Sequence, residues 1–542
     1  MKKVLILLSF TFICVFAQAQ ESNNYQKPSK EVADLLLAPP TPTISIDGKA
    51  QYMLVMERSF YPIVEELGQP EFKIAGIRIN PNNFSLSRQN FIKQLSLKNL
   101  VTGKMISIVG LPNNLSALNP TWNPSENKIA FYNVTATAVD VWVIDIKTST
   151  CSKINKNAAN IVLSSSLIWL DDATVLYKIN THTAAQMSKK SITPKGPTIQ
   201  ESLGKVAPSV TYQDLIKSPY DEYAFEYLAT AQLVKNNAGV EIKIGAPAII
   251  SSIDLSPDKK YFLTRTINKP FSYLVTVYGF ATTVNVTDLN GKIVKTIADL
   301  ASAETTPSGY DNVQNVARAF DWKDDEAATI IYALPLDSGI MKKNVPYHDV
   351  VMALTAPFTG SPKELFKTTT RYSRTVWGNE QIALVTEMLR SKQQYKVSRY
   401  DASNNSLTTL YQGNMTDAYN NPGTPVTTKN KYNRDVIAMT NNGQSILMNN
   451  ITGASPKGDL PYLASFDLTT KANTILWRCS EDNFEMVMDV LDINNLKVIT
   501  RRETEKEVPN YYIRSIKDNS KNAITNFTNP YTSMEGVTKE KI

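Results

Sequence analysis

Histidine and cysteine are scarce in this chain, which has two His and three Cys among 542 residues. His182 and His348 cannot furnish a His-rich metal centre. Cys14, Cys151 and Cys479 cannot build a zinc ribbon or a disulfide framework. Glycine loops of the Gly-x-Gly-x-x-Gly or Walker type are missing, so no phosphate cradle for a nucleotide cofactor is encoded. Beyond the N-terminal residues no stretch reaches ~18 consecutive apolar residues, which excludes a membrane-spanning helix. The 57 Lys and Arg against 50 Asp and Glu are dispersed, so no clustered basic face marks a nucleic-acid partner. What remains is 42% hydrophobic and 20% charged, an ordinary composition for a chain with a substantial core.

The N-terminus reads as a leader. Lys2 and Lys3 form a basic start, residues 4–16 are largely apolar but too short to span a bilayer, and Ala17-Gln18-Ala19 supplies small residues for cleavage. A secretory signal over residues 1–19 follows, and with it export to the periplasm or the outside. Cleavage removes Cys14. Cys151 and Cys479 are then expected as two buried free thiols, a bridge between them being the alternative in an oxidising compartment.

After an extension over residues 20–42 that ends in Pro39-Pro40-Thr41-Pro42, one unit recurs. An apolar or aromatic residue leads into a turn rich in Asp, Asn, Pro and Gly, and a β-rich strand follows. The turns begin near Ile46, Trp122, Trp169, Leu255, Trp322, Trp377, Asn441 and Asp492. A second turn type trails them at Asp145, Asp288, Asp401 and Asp467. Asp and Asn suit such turns because their side chains hydrogen-bond nearby backbone and tolerate positive φ. Repeated strand–turn–strand units with few helical stretches predict an all-β fold, a β-propeller of seven or eight blades over residues 43–530. Residues 194–243 break the pattern.

Catalytic chemistry is hard to place on this chain. A serine nucleophile on a sharp strand-to-helix turn wants Gly-x-Ser-x-Gly, and no such run exists. Ser445 and Ser455 come nearest, but both lack the second glycine, and Pro456 removes the backbone N–H an oxyanion hole would use; both read as hairpin turns. His348 and Asp349 are sequence neighbours, so on a strand their side chains point to opposite faces and make no dyad. His182 reads as a loop histidine. Asp321, Asp324, Asp325 and Glu326 imitate a calcium loop without its glycine or closing glutamate, and read as a solvated blade turn. Glu65, Glu66 and Glu503 (beside Arg501 and Arg502) read as solvated or ion-paired. No position is assigned as catalytic, cofactor-binding or metal-ligating, and the substrate-binding residues are left open.

Four longer segments carry a resemblance: residues 65–81, 211–222, 269–275, and 345–358 with its continuation over 360–368. They are collinear and resemble the propeller region of glutamyl endopeptidase-like members of the prolyl oligopeptidase family of serine peptidases. The resemblance implies a propeller over the mouth of a C-terminal α/β-hydrolase domain that holds the Ser, Asp and His. Residues 531–542 resemble the connection into that domain, which is absent from the chain. The expected function is therefore substrate gating for an exported serine peptidase, the chain itself being inactive. A separately encoded hydrolase domain and peptides are the implied partners. The alternative is a stand-alone, non-enzymatic propeller that binds peptides or a protein. If glutamyl specificity is retained, cationic groups must meet an acidic side chain. Arg78, Arg265 and Arg318 are the candidates, each equally readable as an ordinary salt-bridge partner.

Overall fold

A computed structural model describes residues 28–189, 211–379 and 381–531, together with 534, 536 and 537. The predicted leader and most of residues 531–542 lie outside the described residues. Each of the eight turn signals joins the innermost strand of a radial antiparallel sheet to its second strand. Eight such sheets follow one another: residues 43–106, 117–153, 168–248, 250–300, 318–368, 371–414, 424–478 and 484–523, here blades 1 to 8. Blades 1 and 2 are joined into one sheet by the single pairing of Ile92 with Ala117.

The same chemistry closes the turns in different blades. Asp47 Oδ1 accepts from the backbone N–H groups of Gln51 and Tyr52 at 2.7 and 2.9 Å. Asn123 Oδ1 does this for Asn127 and Lys128, both at 2.8 Å, and Ser256 Oγ for Lys260 and Tyr261 at 3.1 and 3.0 Å. In blades 2 and 3 the tryptophan before the turn ties its blade to the one before it. Trp122 Nε1 donates to Ser45 Oγ at 2.8 Å and Trp169 Nε1 to the Thr121 carbonyl at 3.0 Å. In the second turn type, Asp467 Oδ1 accepts from the N–H groups of Thr469 and Thr470 at 2.9 and 2.7 Å.

Second strands are buried on both faces, so they are apolar without alternation. Successive side chains still point opposite ways. Leu54 therefore packs toward blade 2, while Met53 and Val55 pack toward blade 8. Phe131 and Tyr132, Leu176 and Tyr177, and Ala383 and Leu384 split between neighbours in the same way. Eight apolar clusters result, one in each interface from blade 1–2 round to blade 8–1. The sequence left seven or eight blades open; the closed series of interfaces settles on eight. Blade 1 draws its strands from the N-terminal part and blade 8 from the C-terminal part, with no strand shared between them. Their junction is Met53 and Val55 against Ile499, Tyr511 and Ile524, plus a hydrogen bond of 2.8 Å from Lys98 Nζ to the Ile524 carbonyl.

The irregular stretch in blade 3 contains a helix, Pro219–Ala229, inserted between its second and third strands. Ser218 caps it by accepting from Asp221 N–H at 3.2 Å, and Pro219 stands at its first turn, where no N–H is needed. Cys151 and Cys479 are both buried, as expected, and are not bridged to each other. Ser455 lies in a short hairpin with Gly458, and Ser445 opens a second strand, so neither occupies a nucleophile turn.

Candidate ligand-binding face

Strand alternation puts two sets of connections on one end of the propeller: those from second to third strands, and those from each blade to the next. The long excursions gather on that end, at residues 59–91, 181–189 with 211–230, 268–281 and 336–348. Three of the four segments that carry the family resemblance meet there. Ile74, Ala75, Ile77 and Ile79 pack with Ile216, Ala224 and Phe225 and with Phe271, Val275 and Phe280 in a ninth apolar cluster outside the ring. Gly76 makes this possible. Its φ is +76°, a Cβ there would lie 2.3 Å from Thr276 Cγ2, and its N–H donates to the Asp214 carbonyl at 2.8 Å.

The fourth segment is held by a buried ion network. Arg371 grips Asp337 with both terminal nitrogens, at 3.0 and 2.6 Å, and Asp349 at 3.1 Å. His348 Nδ1 lies 2.7 Å from Asp337, not against Asp349, and Arg318 pairs with Asp349. Burial opposes ionisation of Asp337, but the hydrogen bonds from Arg371 and His348 outweigh it and hold the carboxyl below its ordinary value. His348 is thus a structural partner. His182 stacks on Tyr227 with ring centroids 4.6 Å apart.

A cavity of about 320 Å³ opens on this end between blades 4 and 5, lined by Arg265, Arg318, Ser251, Gln314, Tyr278 and Phe320 among others. Two of the three arginines named from sequence therefore come together. Arg265, on the second strand of blade 4, lies over the Phe320 ring, 5.7 Å from its centroid. Burial lowers its pKa. Arg78 is elsewhere, bridging Glu71 at 3.6 Å and Asp214 at 3.3 Å. Large apolar side chains are exposed around the same end. Tyr278 and Tyr310 are 84 and 86% exposed, and Phe60, Tyr61, Tyr347 and Tyr419 stand out from other connections.

The opposite mouth of the ring is strapped. A hairpin of Thr427–Lys429 with Asp435–Ile437 leaves the inner edge of blade 7. Arg434 at its turn reaches Asp254 of blade 4 at 3.4 Å and Asp324 of blade 5 at 3.8 Å, and donates to the Leu255 carbonyl. Blades 4 and 7 are not neighbours, so this contact crosses the axial opening. The reading of Asp321, Asp324, Asp325 and Glu326 as a solvated blade turn fits Asp321, which is exposed, and is corrected for Asp325. Asp325 is buried against Lys323 at 2.8 Å, and Asp321 and Asp324 share the surroundings of Arg434. A segment distant in sequence meets Asp324 through Arg434 and Asn430, which no local pattern announces. Glu66 pairs with Lys93 and Glu503 with Arg501. Among the described residues no three His, Cys, Asp or Glu side chains gather to hold a metal ion.

The fold and this face define the class: an eight-bladed, all-β propeller with one end built of long, aromatic-bearing loops. The lineage comes from sequence relatives. The chain is 29% identical to a probable chloroplastic glutamyl endopeptidase of Arabidopsis thaliana over 96% of its own length, and 28% identical to its counterpart in Oryza sativa. Both relatives carry the glutamyl endopeptidase name to which the sequence resemblance pointed. It spans 57 and 58% of the length of these two relatives. No family model matches. Among solved structures it is similar to the β-propeller domain of the Trilobed protease from Pyrococcus furiosus (11% identity, 91% of this chain and 98% of that one, TM-score 0.37). It is also similar to the acylaminoacyl peptidase of Pyrococcus horikoshii (12% identity, 92% and 54%, TM-score 0.36).

Proposed function

We propose that this chain is the access-controlling propeller of an exported serine peptidase, acting together with an α/β-hydrolase domain that carries the nucleophile. The observation behind this reading is the loop-built end with its exposed aromatics. Apolar surface spread over the connections of several blades is what a docking surface presents before it is covered. Kinship with proteins named glutamyl endopeptidase supplies the peptidase context. In that arrangement peptides enter a site roofed by the propeller, and folded proteins are kept out by size. Reliance of the chain on that domain for hydrolysis is supported by His182, which stacks on Tyr227, and by His348, which is engaged by Asp337.

The test uses the purified chain with an α/β-hydrolase domain encoded beside it in its genome. A stable complex in sedimentation, weakened when Tyr278→Asp and Tyr310→Asp are introduced together, supports the reading. Stoichiometric labelling of the chain alone by a serine-directed phosphonate sinks it. Absence of any such complex leaves the stand-alone binding propeller. Export through the leader is checked separately by fractionating cells that express the full chain.

A further inference from the structure

We propose that a second cavity on the loop-built end, where blades 2 and 3 meet, is a binding site for a neutral saccharide. It stands apart from the peptidase reading, and its failure would leave that reading untouched.

The cavity has a volume of about 660 Å³, within the ~300–1,000 Å³ of ordinary ligand clefts. Asn82, Asn157, Asn180 and Gln186 bring amides to it, Thr137 a hydroxyl and His182 a ring. Among the described residues no Asp, Glu, Lys or Arg lines it. A charged ligand would find no counter-ion in these walls, so burial would oppose its binding.

Internal bonds fix which amide atoms remain free. Asn180 ends the second strand of blade 3, and its Oδ1 is buried without a hydrogen-bond partner. A buried acceptor left unmet is a standing cost that a ligand hydroxyl removes. Asn157 Nδ2 donates to Glu241 Oε2 at 2.6 Å, which leaves Asn157 Oδ1 as an open acceptor. Gln186 Oε1 accepts from the Thr183 N–H at 3.1 Å, which leaves Gln186 Nε2 as an open donor.

The wall that carries His182 and Gln186 is held by the inserted helix. Tyr227 Oη donates to the Thr183 carbonyl at 2.8 Å, and Tyr220 Oη to the Ser188 carbonyl at 2.9 Å. His182 stacks on Tyr227 at an interplanar angle of 17° and is exposed, so the ring face away from Tyr227 is open to a ligand. A hydroxyl both donates and accepts, so a sugar ring bearing several can meet acceptors and donors in any order. Its C–H face supplies apolar area for the imidazole. A peptide bond offers one donor and one acceptor directed to opposite sides, and matches such a mixed set poorly.

Neutral trisaccharides of glucose, mannose, galactose and N-acetylglucosamine are titrated into the full chain by calorimetry, with end-blocked tetraalanine as the control. At least one sugar is expected to bind with an affinity on the order of millimolar or tighter, and equally well as salt is added, since no charge takes part. Asn180→Ala should weaken that binding about tenfold and keep the melting temperature, since the Asn180 Oδ1 has no internal bond to lose. His182→Ala, at an exposed position, should weaken it severalfold. Failure of all four sugars to bind overturns the proposal. So does binding that is unchanged in both variants, which places the site elsewhere. A blocked peptide that binds as tightly and displaces the sugar overturns it as well.

Discussion

Lys178 is a buried charge that the ring accommodates at a cost. It lies on the second strand of blade 3, 4% exposed, with its Nζ 3.3 Å from the Ile250 carbonyl and no carboxylate partner among the described residues. Burial lowers its pKa to about 7, far below the ordinary lysine value. In the unfolded chain the amine binds its proton up to about pH 10.4, so between that value and 7 the unfolded state holds more protons and stability rises with pH. The full penalty applies below pH 7. Lys178→Met is expected to stabilise the protein by on the order of 3 kcal/mol at pH 6. That gain should shrink steadily toward pH 10 in urea unfolding curves. A gain that does not change with pH would show that the cost is one of packing and not of charge.

Elements decide what single residues cannot, and the strap from blade 7 is the clearest case. Its Arg434 meets Asp254 and Asp324, and Asp321 lies in the same electrostatic neighbourhood. Burial pushes Asp324 up to about 6, opposed by Arg434 and reinforced by Asp321, Asp254 and Asp325. A carboxyl whose folded pKa exceeds its unfolded value favours folding in its protonated form. Its contribution is therefore present near pH 4 and lost as the pH rises through 6. Asp324→Asn should raise the melting temperature at pH 7.5, with the difference fading by pH 4. Arg434→Ala should do the reverse, costing about 1–3 kcal/mol at neutral pH, because several carboxylates then repel one another at the axial mouth. A melting temperature for Arg434→Ala equal to wild type at pH 7.5 would mean that the strap carries no electrostatic role.

At the scale of the whole molecule, the ring is closed by side chains. Blades within the chain are linked covalently and by packing, but blades 1 and 8 meet through Met53, Val55, Ile499, Tyr511 and Ile524 without a shared strand. That junction is the natural place for local opening. Met53→Ala is expected to cost about 2–5 kcal/mol, the range for a buried Met truncation. Hydrogen exchange in that variant should accelerate most in blades 1 and 8 and least in blades 4 and 5. Uniform acceleration around the ring would indicate that all eight interfaces open together.

The turns and the buried second strands were legible in the sequence because both are local. An Asp, Asn or Ser that folds back on the next few N–H groups, as Asp47, Asn123 and Ser256 do, needs no distant partner. Runs such as Met53 to Val55 declare burial on both faces from composition alone. Eight signals of this kind determined the repeat and the fold class. The site was legible only as residue types. Arg265 and Arg318 were candidates alongside Arg78, and nothing in their spacing separated the two that share a cavity from the one that bridges Glu71 and Asp214. The strap was not legible at all, since Arg434 and Asp254 are 180 residues apart in sequence. Periodicity and turn chemistry act over a few residues and so can be read along the chain. Which charges are left without a partner, which mouth is covered and how the ring closes depend on surfaces that meet only after the blades have packed.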